Sequence, residues 1–550
     1  MKSLWKHLWL TAASVALLLT PLAKAEAQIK PVAVVSIAHV DKLLGDIDYL
    51  AKTGGAADAG RLVTLMAGPY VAGLDRTKPG GAYVLMEGET PIVVGFVAVK
   101  DLTMVLATLK DSLGEPKDLG DGVQQVGEGP ISVCIKQEGA FAFIAQDAKY
   151  LTNLPKDPIA LLGGLEKTYS IAAKLNMKNL PQPLKEQAIK ALQDGAAAAP
   201  ADVDDPAQKE LVEKLQANSI KQMKALVEET DEITIGWAVD GVKKSTYIDF
   251  VFTAIDGTKL ARTMAGLKDS KTNYSGFLDA AAAFTMNLSS QSTDADEIAQ
   301  AVALVESMRG TMLKELGKDE DLEDDEKAAA TELIGTVVDV FKATLATGKA
   351  DGGALALADE EELTFVAGGH VVDAAKLEAA IKKAVAFVQK KHPDELEDVE
   401  VEFDSGKHGG IRFHTISYTL DDENAEKVFG ETLDVVIGFG DTSVYVAFGN
   451  EAEAALKKVI DQSAAAANKA VPPAQMNFAL GPFMKFAASV EENPTTAMLA
   501  ELADKFKGND RIKINVKAIS NGELMRFEVE EGVIQMIGEA AKNAQGPPGL

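Results

Sequence analysis

The side chains best able to do chemistry in this chain are a few histidines, one cysteine and many carboxylates. Asp404, His408 and His414 lie close together around Ser405-Gly406-Lys407-His408-Gly409-Gly410. That run is a hairpin signal, and its turn could bring the two rings near each other. Imidazole and carboxylate donors together suit zinc or a similar divalent ion. The three are weak metal candidates, because their spacing is not that of H-E-x-x-H, where one helical turn sets both rings on one ion. The plainer reading makes His408 a surface-loop residue and His414 a strand residue opposite Glu400 or Glu402. The expectation is no metal and no cofactor.

Two other features invite the same question. The acidic run Asp319 to Glu326 has the carboxylates of a calcium loop but not its glycine bend. It suits a helix start or a solvated turn, with loose divalent-cation binding as the alternative. Cys134 sits in the strand-like run Ile131-Ser132-Val133-Cys134-Ile135 with no flanking His or Arg. It reads as a buried structural thiol, not a nucleophile. It is the chain's single cysteine, so no internal disulfide forms.

Catalytic frames are missing. Tyr274-Ser275-Gly276-Phe277 lacks G-x-S-x-G. Gly257-Thr258-Lys259 has no phosphate-loop frame before it, and no G-x-G-x-x-G joins a strand to a helix. Among 82 acidic residues no pair stands out for glycoside chemistry. No catalytic residue is assigned, and the expectation is a protein that is not an enzyme.

Compartment and charge narrow the setting. Lys2 and Lys6 precede an apolar stretch from Leu8 to Leu22, then the small-x-small sites Ala23-Lys24-Ala25 and Ala25-Glu26-Ala27. Residues 1–27 read as a secretory signal peptide. The stretch is shorter than the ~20 residues a spanning helix needs. No cysteine lies at the cleavage region, so no bacterial lipid anchor is expected. The protein is expected to be periplasmic or extracellular, with no stable membrane insertion after cleavage. A net charge of −27 argues against nucleic acid and against anionic membrane surfaces.

The elements that must position these residues read as one unit present twice. About 520 residues remain after the leader, too many for one core. Gly80-Gly81-Ala82-Tyr83-Val84-Leu85-Met86, a second apolar strand and a helix beginning at Asp101 are echoed by Gly352-Gly353-Ala354-Leu355-Ala356-Leu357-Ala358, a strand and a helix beginning at Asp373. Ala33 to Ile37 opens the first half as Phe284 to Leu288 opens the second. The hairpin at Ile233 to Val239 and Tyr247 to Ala254 has its counterpart at Ile512 to Ile519 and Met525 to Val529. Alternation such as Val399, Val401, Phe403 against Glu400, Glu402, Asp404 predicts antiparallel sheets with one face on a core. The expected fold is α+β: two tandem, similar domains, each a mainly antiparallel sheet covered by helices. The expected boundaries are 28–282, with a helical insertion at about 155–229, then 283–541 and a disordered tail at 542–550. Gly195 to Pro206 reads as a linker between helices.

The export signal, the order of elements and the opening Val34-Val35-Ser36-Ile37 followed by Val40 to Leu50 (VDKLLGDIDYL) resemble the large exported proteins of unassigned function of planctomycete bacteria. The resemblance covers most of the chain beyond the leader. It implies an envelope or extracellular location, and it carries no functional residues. Three roles fit the sequence. The first is non-catalytic binding of an envelope protein, or a structural interaction. The second is carriage of an apolar small molecule such as a lipid, and the third is a carboxylate-dependent hydrolase.

Overall fold

The computed structural model describes residues 30–129, 132–197, 220–319, 321–358, 363–393, 399–449, 451–490, 493–506 and 508–544. The expected leader at 1–27, residues 198–206 of the expected linker and residues 545–550 of the expected tail lie outside the described residues, while 542–544 end the helix Glu531–Ala544. The fold is α+β with antiparallel sheet throughout its main strand pairings. Contacts divide the chain into two units. One comprises residues 1–191, 224–255 and 537–550, and the other 192–223 and 256–536. The boundary expected at 282/283 therefore falls at 255/256. The segment 256–282 closes over the second core, because Tyr274 and Phe277 are buried there.

In the first unit the strands are β1 (Ala33–Ile37), β2 (Gly80–Glu87), β3 (Thr90–Ala98), β4 (Lys117–Gly120), β5 (Val123–Val126), β6 (Val133–Glu138), β7 (Phe141–Ala145), β8 (Ile171–Asn176), β9 (Thr230–Asp240) and β10 (Ser245–Ala254). Their order across the sheet is β4-β5-β6-β7-β3-β2-β1-β8-β9-β10. One face buries Tyr83, Val94, Phe96, Phe143 and Ala145 beneath Leu151 and Leu162, which come from the single turns Ala148–Leu151 and Pro158–Leu162. On the other face, α3 (Leu102–Leu113) covers Val126, Ile135 and Ala142. The helical hairpin α1 (Val40–Thr53) and α2 (Ala57–Val71) joins β1 to β2. The segment at 155–229 is not wholly helical as expected: β8 lies inside it and pairs with both β1 and β9. Its sequence IAAKLN carries little apolar bulk, so its alternation is faint.

In the second unit the strands are β11 (Phe284–Gln291), β12 (Lys349–Ala358), β13 (Leu363–His370), β14 (Val399–His408), β15 (Ile411–Thr419), β16 (Thr432–Phe439), β17 (Ser443–Phe448), β18 (Ala474–Ala479), β19 (Arg511–Ile519) and β20 (Gly522–Glu530). Their order is β14-β15-β16-β17-β13-β12-β11-β18-β19-β20. A two-residue ribbon, Lys271–Thr272 with Lys469–Ala470, stands apart. The hairpin α4 (Ala295–Lys318) and α5 (Asp324–Ala346) joins β11 to β12, and α6 (Ala374–Lys391) follows β13. Leu355, Val366, Phe413 and Tyr445 form the main core with Leu456 and Val459 of α7 (Ala452–Ala465). Val340 of α5 and Leu377 of α6 close over Phe439 from the opposite face.

Two glycines show why the sequence is fixed at one point of each sheet. A Cβ on Gly81 would lie 2.2 Å from the Val35 carbonyl oxygen, and one on Gly353 would lie 2.6 Å from that of Met286. Neither position has room for a side chain although both lie in strands.

Candidate functional site

His414 is carried by β15, and β15 is held by β14 and β16, so its ring is fixed in the sheet. It is buried at 2 % exposure, edge-on to Phe403 and tilted against Phe439. Its Nδ1 accepts the backbone N–H of Asp404 at 2.8 Å, so in the neutral ring the proton sits on Nε2. Nε2 then donates to Glu378 Oε1 at 3.1 Å. Glu378, on α6, also accepts from the guanidinium of Arg412 and pairs with Lys382 at 3.0 Å. Lys382 reaches Asp404 Oδ2 at 3.2 Å. The Arg412 hydrogen bond is the main reason the Glu378 carboxyl falls to about 2, against the opposing cost of burial.

Glu378, Asp404 and His414 place one donor atom each within 4.8 Å of one another, a spacing a metal could use. Two features work against that use. A metal on Nε2 would need both ring nitrogens to offer lone pairs, since the Asp404 amide already takes Nδ1, and neutral imidazole has only one. The cation position between Glu378 and Asp404 is filled by the Lys382 ammonium. The group is a charge-balanced clamp of two carboxylates and two cations that ties α6 to the β14–β15 hairpin.

The hairpin turn could bring His408 and His414 near each other, but in the structure they have different partners, and His414 bonds the Asp404 amide and Glu378 and not Glu400 or Glu402. His408 Nε2 bonds Asp461 Oδ1 of α7 at 2.6 Å, on the exposed end of the hairpin. Glu378, Lys382 and Arg412 went unread. Their signal was present: Glu378 and Lys382 are four apart on one helix, and Arg412 is two from His414 on one strand face. The acidic run resolves in part to a helix start. Glu323 and Glu326 form a capping box at the head of α5, and Lys391 of α6 pairs with Glu323, Asp325 and Glu326. Cys134 is buried at 4 % exposure in the first unit, and burial pushes its thiol pKa up.

Two hollows carry charged side chains in their walls. A groove of about 560 Å³ between α1 and α2 is lined by Asp41, Asp48, Lys52, Arg61 and Arg76 beside Leu44 and Leu65. Asp41 pairs there with Arg76, and Asp48 with Lys52. A smaller one of about 160 Å³ has Lys271, Lys349 and serines in its wall.

The apolar surface lies on the sheets themselves. In the second unit Met525, Phe527 and Val529 of β20 share a face with Val516, Ile514 and Ile512 of β19. The same face continues over Ala474, Met476 and Phe478 of β18 to Leu288, Met286 and Phe284 of β11. The opposite face carries Arg526, Glu528, Lys513, Asn515, Gln475 and Asn477, so period-2 alternation segregates the two. Met525 is nevertheless 38 % exposed and Phe527 37 %. At the margin of this face stands Glu523, half-buried, with no partner among the described residues and a pKa raised by burial. In the first unit Ile248, Phe250 and Phe252 of β10 share a face with Trp237, Ile235 and Ile233 of β9. Ile248 is 37 % exposed there and Phe250 42 %. No described helix is long and apolar enough to cross a membrane. The chain matches no known family model, no curated protein and no solved structure.

Proposed function

We propose that this chain is an exported protein of the envelope or extracellular space that acts by binding and not by catalysis, and that it binds through the open apolar face of its sheets. The carrying observation is the exposure of large apolar side chains at corresponding strand positions in both units. Contiguous exposed apolar surface on a soluble protein marks a binding site. We further propose that the two units are duplicates. Adding ten to each strand number of the first sheet order gives the second. A helical hairpin follows the first strand in each unit, and an Asp-capped helix follows the third strand, at Asp101 and Asp373. Pairing Ile235 with Phe250 and Ile514 with Phe527 sets Ile248 against Met525 in the correspondence.

An apolar ligand fits this face better than a polypeptide. Strands β11, β18 and β19 are ladder-paired on both sides, so a peptide finds no free backbone partner along these three strands. The catalytic reading gains little from this cluster, since Glu378 is held by both Arg412 and His414, and the other His414 nitrogen by the Asp404 amide.

The test uses the chain from residue 28 onward and the apolar fluorophore N-phenyl-1-naphthylamine. Bound fluorescence rising to saturation is expected, with Phe250→Asp and Phe527→Asp each removing part of it. A dark probe, together with a stable complex with an envelope protein, would favour the protein-binding reading. A fusion of alkaline phosphatase after residue 27 is expected to be active outside the cytoplasm.

A further inference from the structure

The second unit's face differs from the first in one residue that points to the ligand's head. We infer that this face seats the tail of a single-chain amphiphile with a cationic amine head, and that Glu523 receives the ammonium. The inference rests on the reading of the open sheet face as the binding surface.

Glu523 lies on the same face of β20 as Met525 and Phe527, because the β19–β20 register is unbroken from Gly522 to Val529. It stands at the start of the strand, next to the Asn521-Gly522 turn, so it is at the rim of the apolar face. From Glu523 to Val529 the strand advances roughly 20 Å, room for an extended chain of about a dozen carbons or more. The residue opposite it is Ala518, which supplies neither charge nor hydrogen bond. A half-buried carboxylate without a counter-ion is complementary to an ammonium. Burial also raises its pKa.

Charge selects among occupants. At −27, a second copy of this chain is repelled, and so is an amphiphile with a carboxylate head. The first unit supplies an internal control. Its counterpart of Glu523 is Thr246, whose hydroxyl accepts from Trp237 Nε1 at 2.9 Å and donates to the Ala238 carbonyl at 3.1 Å. That position is satisfied and uncharged.

The experiment displaces N-phenyl-1-naphthylamine from the chain lacking residues 1–27, in near-physiological salt, with dodecylamine, 1-dodecanol and dodecanoate below their micellar concentrations. Dodecylamine is expected to displace at a concentration about tenfold lower than dodecanoate. Glu523→Gln should bring the two within about twofold, while Thr246→Val keeps the preference. Equal displacement by all three, or an amine preference that survives Glu523→Gln, overturns the head-group assignment and leaves the surface reading standing. Failure of the wild-type chain to take up the fluorophore overturns the surface reading and this inference with it. Circular dichroism establishes that each variant is folded.

Discussion

Glu378 holds three side chains, Arg412 and His414 of β15 and Lys382 of its own helix, with one carboxylate, and its ionisation is therefore coupled to folding. Its pKa is 4.5 in the ordinary state and about 2 in the fold. A depressed carboxyl contributes stability that is fully present above about 4.5 and is lost as pH falls toward about 2. Glu378→Gln keeps a hydrogen-bond acceptor for His414 but removes the charge facing Arg412 and Lys382. Arg412 is 40 % exposed at its side chain, which limits the penalty. The variant should lose roughly 1–3 kcal/mol at pH 7. Thermal melts followed by circular dichroism at pH 7, 4 and 2.5 should show the gap between wild type and variant shrinking as acid is added. A gap that stays constant across that range would remove the clamp from the account.

At the scale of elements, sterics and propensity make opposite predictions for the strand glycines. Valine is a good strand former, so propensity alone favours Gly81→Val and Gly353→Val. The contacts of 2.2 and 2.6 Å to carbonyl oxygens forbid them. Each should destabilise by about 2 kcal/mol or more through local overpacking. Gly95 in β3 is the control: a Cβ there meets nothing nearer than 3.8 Å, so Gly95→Ala should be neutral or slightly stabilising. Urea titrations decide between the two accounts, and equal midpoints for Gly81→Val and Gly95→Ala would refute the steric one. The junction of α5 and α6 follows the same logic, with acids at one helix head and Lys391 at another helix end, each suiting its dipole.

For the whole molecule, the charge of −27 is the dominant long-range term. Many carboxylates are locally paired, but 82 acids face only 55 Lys and Arg. The excess repels itself in the compact state. Screening falls to about 10 Å at 0.1 M salt, so added salt should relieve repulsion between distant surface charges. The melting temperature should rise by a few degrees between roughly 10 and 150 mM sodium chloride. A fall would mean that local ion pairs such as Lys259 with Asp294 and Asp296 outweigh net repulsion.

Strands such as β2, β9, β12 and β20, the helix starts at Asp101 and Asp373, the burial of Cys134 and the acidic helix head were legible in the sequence. Each is written in short-range alternation, spacing or capping chemistry. The faint strands β8 and β18 were not, because Ile171–Asn176 and Ala474–Ala479 are short and their sheet membership comes from neighbours on both sides. The boundary at 255/256 also needed the folded chain, since segment 256–282 is assigned by where Phe277 is buried. His414 was readable as a histidine on a strand, but its partner was not: Glu378 lies 36 residues away, and only the packing of α6 on the sheet brings the two together. The alternation of β19 and β20 announced an apolar face, while its exposure depended on which helices cover it. Local pattern sets what each segment is, and long-range packing sets what each side chain meets.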